Sequence, residues 1–240
     1  MGAQWKHAGQ QANAAKRGAI VGKLVKEIIV AAKIGDPNPD NNARLRAALE
    51  SARKQSVPRD TIERAIKKGA GLLEPVSYET IVYEGFAPNQ VPVIVECLTD
   101  NKNRTASDIR VLFRKGQLGN QGAVAWMFDR LGVIEATIPK PEVDIEGTAI
   151  EAGAQNVEPL ESADVPAGST GARFFCETTD LDAVNKALAA QGWLITLSEM
   201  SYLAKTKIDL PEGEAKKATV DFLRDIDDHD DVHRIYTALA

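Results

Sequence analysis

The chain has 240 residues, 44% of them hydrophobic and 26% charged, which is long for one compact domain and sufficient for two or three cores. Its net charge of −5 conceals a division: up to Leu72 there are 14 Lys and Arg against 6 Asp and Glu, and from Leu73 onward 15 against 28. No apolar run reaches the ~18 to 20 residues of a membrane-spanning helix, and the stretch holding Gln4, Lys6, His7, Gln10 and Gln11 lacks the apolar segment of a secretory signal, so a cytoplasmic protein is expected.

The basic part reads as helices. Ile20, Val21, Leu24, Val25, Ile28, Ile29 and Ala32 recur every three or four residues, predicting a helix over 17–33 with one apolar stripe. Gly35, Pro37 and Pro39 stop it. A second helix starts near Asn41 with Leu45, Ala48, Leu49 and Ala52 inward, and a third starts at Pro58, carries Ile62, Ala65 and Ile66, and ends at Gly69 and Gly71. The cations fall largely off these stripes, giving a small bundle that is basic outside.

Periodicity then changes to two. Residues 80–86 and 91–98 are predicted as paired strands across the turn Ala87-Pro88-Asn89-Gln90, with a helix after residues 99–103 that Gly116 ends. Residues 122–128 and 131–138 are predicted as a further hairpin with Asp129 and Arg130 at its tip. Helices over 142–152 and 181–190 and strands over 156–162, 172–178 and 193–200 follow. An amphipathic helix over 211–226 and a strand over 232–239 close the chain. The resulting class is α+β in three domains: a basic helical bundle (1–75), a discontinuous α+β domain (76–138 and 204–240), and an acidic α+β domain inserted in it (139–203).

Enzymatic constellations are weak. The glycine-rich run from Gly116 to Gly122 lacks the Lys-Ser/Thr of a phosphate-binding loop. His229 and His233 stand among Asp225, Asp227, Asp228, Asp230 and Asp231, which suits either a cation site or a solvated acidic turn. His7 has no nucleophile partner, and Cys97 and Cys176 match no metal or redox spacing and are expected as buried or half-buried thiols. No catalytic site, cofactor or metal is expected. Asp100-Asn101-Lys102-Asn103-Arg104-Thr105 precedes a helix, where free amides plus Lys102 and Arg104 would favour an anion; ordinary capping with an Arg-to-carboxylate contact is the alternative.

Nucleic-acid binding is the function the charge division suggests. The candidate contacts are Lys16, Arg17, Lys23 and Lys26 on the first helix, Arg44, Arg46, Arg53 and Lys54 on the second, Arg64, Lys67 and Lys68 on the third, and Lys102 and Arg104 beyond. Six acids cannot neutralise fourteen bases, which separates this face from an ordinary solvated one. Trp5 is the sole aromatic residue up to Leu72, so base stacking is not indicated.

The segments RAIKKGAG (64–71), YEGFAP (83–88), VPVIVECLTDNKNRTASDIR (91–110) and GAVAWMFDRLGVIEA (122–136) resemble the YebC/PmpR family, which also includes the mitochondrial translational activator of cytochrome c oxidase subunit I. The opening Met1-Gly2-Ala3-Gln4-Trp5-Lys6 is similar to the PmpR-type branch, while Gln10 and Gln11 stand where many members are more basic. The resemblance implies a helical bundle and two ferredoxin-like α+β domains, the last inserted in the middle one, and a non-enzymatic regulatory role. Two partners follow from the resemblance and a third from the basic helices alone. Duplex DNA would make the protein a transcriptional regulator, ribosomal RNA a ribosome-associated translation factor that assists difficult sequences such as proline runs, and an acidic protein an adaptor. No helix-turn-helix reading head is apparent, so phosphate contacts rather than base contacts are expected.

Overall fold

The computed structural model describes residues 4–74, 78–161 and 165–240, with side chains from Arg17 onward apart from that of residue 43. Helix α1 (Gln4–Ile34) runs for about 46 Å at ~1.5 Å per residue. It begins well before the apolar stripe, because residues 4–16 are rich in Ala, Gln and Lys, which favour helix without needing a packed face. Its inner face, centred on Ile28 and Ile29, packs on Leu45, Leu49 and Ala52 of α2 (Ala43–Lys54) and on Ala65 of α3 (Arg59–Gly69).

Two residues set this bundle. Asn42 caps α2, its Oδ1 accepting from Leu45 N–H at 3.0 Å, while its Nδ2 donates to the carbonyls of Ala31 at 2.9 Å and Asp36 at 2.8 Å. One buried amide thus ties the end of α1 to the start of α2. Gly69 is the last residue of α3 rather than its stop, and a Cβ there would lie 2.4 Å from the Ile29 carbonyl oxygen and 2.7 Å from Ala32 Cβ. The glycine is needed for close helix approach. Pro58 precedes α3 as its N-cap instead of opening it.

The rest of the chain builds two four-stranded antiparallel sheets. Strands β1 (Glu79–Ala87) and β2 (Val91–Thr99) pair throughout their length, and α4 (Lys102–Leu112) leads to the short β3 (Gln117–Leu118). There follow β4 (Phe128–Ile138), α5 (Ile145–Ala152), β5 (Asn156–Pro159), β6 (Thr170–Cys176), α6 (Leu181–Ala190) and β7 (Leu194–Ala204). The chain ends with α7 (Glu214–Asp227) and β8 (Val232–Thr237). The first sheet has order β3-β1-β2-β8 and the second β5-β6-β4-β7.

The second sheet with its helices is a β-α-β-β-α-β unit in the ferredoxin-like order. Helices α5 and α6 cover one of its faces over Ile134, Phe174, Val184 and Leu188, with Phe174 and Trp193 edge to face at 5.3 Å. The first sheet has the same plan with its inner strand β1 moved to the front. Helix α4 with the turn that follows it and helix α7 cover one face through Ile109, Phe113, Phe222 and Ile226, and the other face packs through Ile94 and Tyr236 on Val124 and Phe128. Central β2 is thus buried on both sides, which explains its nearly unbroken apolar run.

Two sequence expectations need correction here. Residues 122–128 do not form a strand of a hairpin, and Asp129 and Arg130 lie inside β4. The buried carboxylate of Glu84 instead accepts from the N–H groups of Gly122 at 2.7 Å, Val124 at 2.9 Å and Ala125 at 2.8 Å. This folds the segment into a tight loop presenting Trp126, which is 66% exposed. Strand β4, read with the middle unit, pairs with β6 and β7; by strand pairing the middle unit therefore ends before Phe128. The expected boundary followed the turn at Pro139, but pairing depends on partners far along the chain.

Candidate nucleic-acid interface

The predicted cations divide by environment. Arg17 on α1, Arg53 and Lys54 in the last turn of α2, and Arg64 and Lys67 on α3 are exposed, and Lys68 is half-buried. No ion pair joins any of these six to another described residue. In α3, Arg64, Lys67 and Lys68 are three and four residues apart, so they share one side of the helix. Cations in the last turns also suit the negative end of each helix dipole, so their positions serve the helices as well as any ligand. Lys16 lies outside the residues whose side chains are described.

The other predicted cations are engaged within the chain. Arg44 forks onto Glu27 with Nε at 2.8 Å and Nη2 at 3.2 Å. Arg46 donates to the carbonyls of Pro39 at 3.2 Å and Asp40 at 2.9 Å, closing the turn before α2. Lys23 donates to the carbonyl of Asp227 and approaches its carboxylate at 3.4 Å. Lys26 reaches Asp231 Oδ1 at 2.8 Å and the carbonyls of Asp230 at 2.9 Å and Leu98 at 3.4 Å.

Beyond the bundle, Lys102 pairs with Glu79, and Arg104 pairs with Asp231 at 2.8 Å and Asp100 at 3.0 Å. Of the two readings of the residues before α4, the structure has the capping one. Asn101 Oδ1 accepts from Arg104 N–H at 3.1 Å, and the Arg104 guanidinium goes to carboxylates.

Sequence reasoning missed a charged network joining the bundle to the body. Glu27, 6% exposed, meets Arg44, His233 Nε2 at 2.8 Å and Arg234 at 4.0 Å, and Arg234 also pairs with Glu199 at 2.5 Å. Burial alone would raise the Glu27 pKa. The close approach of His233 Nε2 and the two hydrogen bonds from Arg44 overcome it and hold the carboxyl well below the ordinary range. Glu199 goes the other way, pushed up by burial that Arg234 only partly offsets. The available signal was that Glu27 stands three residues after Leu24 and four before Ala31, at the edge of the buried stripe of α1.

The acidic stretch around the two histidines is only partly solvated, which corrects the picture of a free acidic turn. Asp231 is 3% exposed and holds Lys26, Arg104 and Thr105. Despite burial, these hydrogen bonds lower its pKa to about 2. His229 Nε2 lies 3.2 Å from Asp108 Oδ2. Among the described residues no cluster of His, Cys, Asp or Glu is arranged to hold a metal ion. Both thiols are buried, and burial pushes Cys97 up to about 12 and Cys176 to about 11. A cleft of about 540 Å³ where the units meet is lined by both Arg44 and Arg234 and Glu96 and Glu199, a mixture unsuited to a polyphosphate.

The comparisons give the family directly. Residues 2–72 match the model described as TACO1/YebC protein N-terminal domain, and residues 78–239 match the one described as TACO1/YebC second and third domain. The chain belongs to the TACO1/YebC family. A relative from Pseudomonas syringae pv. tomato, named a probable transcriptional regulatory protein, is 52% identical with both chains covered completely. Relatives with the same designation from Polaromonas and Bdellovibrio bacteriovorus are 49% and 48% identical, again over 100% of both chains. A crystal structure of a conserved hypothetical protein from Aquifex aeolicus superposes with a TM-score of 0.76 at 36% identity, covering 94% of this chain and 90% of that one. This TACO1/YebC chain therefore has a regulator-like family role, and among its described residues no helix is long and apolar enough to cross a membrane.

Proposed function

We propose that this protein is a cytoplasmic, non-enzymatic, DNA-binding transcriptional regulator that grips the phosphate backbone with its helical bundle. The observation that carries this reading is the set of cations left without a carboxylate partner among the described residues: Arg53 and Lys54 ending α2, and Arg64, Lys67 and Lys68 on α3. Unpaired cations release counterions from nucleic acid on binding, whereas Arg44 and Arg46 are already committed inside the chain. The names of the relatives support the transcriptional role. The acidic sheets keep the remaining surface off DNA and supply shape or protein contacts.

The bundle presents cations and no aromatic side chain among its described exposed residues. That favours backbone over base contacts and keeps a second reading, a translation factor on ribosomal RNA recognised by shape. The test is equilibrium binding of the full chain to duplexes selected from its own genome against random duplex at physiological salt. A regulator prefers its operator by about 10³-fold or more. Equal binding to all duplexes, with co-sedimentation with ribosomes that survives DNase, overturns the transcriptional reading in favour of the ribosomal one.

A further inference from the structure

We propose that the side of α1 carrying Lys23 and Lys26 is a second phosphate-backbone surface, and that the chain's own acidic turn after α7 fills it here in place of nucleic acid. This rests on the nucleic-acid reading above and adds to it a masked contact and the group that masks it.

The contacts resemble those a phosphate chain would make. Both ammonium groups bind a succession of oxygens along one stretch of backbone: the Asp227 carbonyl and carboxylate for Lys23, the Asp230 carbonyl and Asp231 carboxylate for Lys26. A lysine is a flexible point charge with three donors, indifferent to whether carboxylate or phosphate oxygens receive them. The end of α7 and the turn after it supply Asp227, Asp228, Asp230 and Asp231 within five residues, a local density of negative charge comparable to a nucleic-acid strand. The groove continues along α1 past Gly18 and Gly22, where an added Cβ would meet nothing within 4 Å, which leaves room against the helix; Asp100 and Asp108 also line it, with Arg104 beside them.

The mask is also built to come off. The Lys23–Asp227 pair is open to solvent on the side of the acid, with the Asp227 side chain 66% exposed and that of Lys23 20%, and ion pairs that reach solvent contribute little. Asp231 is buried, but its Oδ2 has its own partners in Arg104, Thr99 and Thr105, and only Oδ1 takes Lys26. Withdrawing Lys26 therefore leaves no buried carboxylate without a cation, and the penalty for stranding a charge is avoided. These contacts between α1 and the turn are polar, the kind of internal interface that exchanges readily. A polyanion that already holds the free cations of α2 and α3 competes for Lys23 and Lys26 at high effective concentration.

The experiment measures fluorescence anisotropy of a labelled random-sequence duplex DNA with the full chain, across salt concentrations. The proteins are the wild type, D227N/D231N, K23Q/K26Q, the combination of all four, and E146Q/E158Q as a charge-matched control on exposed residues of the inserted unit. D227N/D231N is expected to bind roughly tenfold more tightly, with the slope of log K on log salt steeper by about 1.8 for two added phosphate contacts. The gain should vanish in the combined variant and be absent from E146Q/E158Q. A similar gain in either of those two shows a general charge effect and overturns the proposal.

If D231N disturbs the turn, D227N alone, at an exposed position, should give a gain of the same sign with the slope steeper by about 0.9; no gain overturns the proposal. Binding by the wild type without a lysine-dependent gain removes the masked surface alone. Absence of binding by every protein removes the nucleic-acid reading and the surface with it.

Discussion

Replacing Glu27 by Gln should destabilise the protein far more than a change at one glutamate ordinarily does. The side chain keeps its shape and loses its charge, leaving Arg44 and His233 without their carboxylate, while Arg234 retains Glu199 at 2.5 Å. Removing one partner of a buried pair costs ~3 to 5 kcal/mol. Arg44 is 27% exposed, so water recovers part of that, and the expected loss is about 2 to 3 kcal/mol. For a chain of this length that corresponds to a fall in Tm of roughly 4 to 12 °C.

The pH dependence carries the sign. Burial opposes ionisation of Glu27, and the contact with His233 and the hydrogen bonds from Arg44 outweigh it, so its folded pKa is depressed. The stabilisation is then fully present above the unfolded value of ~4.3 and is lost as pH falls through the lower folded value. Thermal unfolding by far-UV circular dichroism should show the gap between wild type and E27Q constant near neutrality and shrinking steadily below about pH 4. The double variant E27M/R44M should recover part of the loss, because no buried charge is then stranded. A neutral-pH difference below about 0.5 kcal/mol, the range of ordinary surface changes, or a gap unchanged in acid, would refute the role given to this network.

Gly69→Ala should lower Tm even though Ala is favoured over Gly in helices by ~1 kcal/mol, because the new Cβ would stand 2.4 Å from the Ile29 carbonyl oxygen. Equal or higher Tm would mean that α3 does not approach α1 that closely. Cys97, its thiol pushed up to about 12 by burial, should resist alkylation at neutral pH in the folded protein and react in denaturant. Rapid labelling of the native chain would place that thiol at the surface instead.

Much of the fold was legible because it rests on local pattern. The apolar spacing of Val21 to Ala32 marks the part of α1 that packs, the turn at Pro88 separates two strands of matching length, and Leu181 to Ala190 forms α6 between the expected limits. The failures involve distant partners. The loop at Gly122 is folded by a carboxylate at Glu84, and β4 takes its place from β6 and β7. In the candidate interface, charge counting pointed to the basic helices but could not separate Lys67, which pairs with no described acid, from Lys26, whose acids lie some two hundred positions further along the chain. Counting also treated Asp231 as solvated, when Lys26 and Arg104 are what allow it to be buried.

The most direct test of the central claim is the binding of duplex DNA by R53E/K54E and by K67E/K68E against the wild type, as a function of salt, with circular dichroism confirming the fold. Binding through these cations requires each double variant to lose affinity and to flatten the slope of log K on log salt by roughly 1 to 2. Affinities and slopes equal to the wild type in both variants would contradict the assignment of this face.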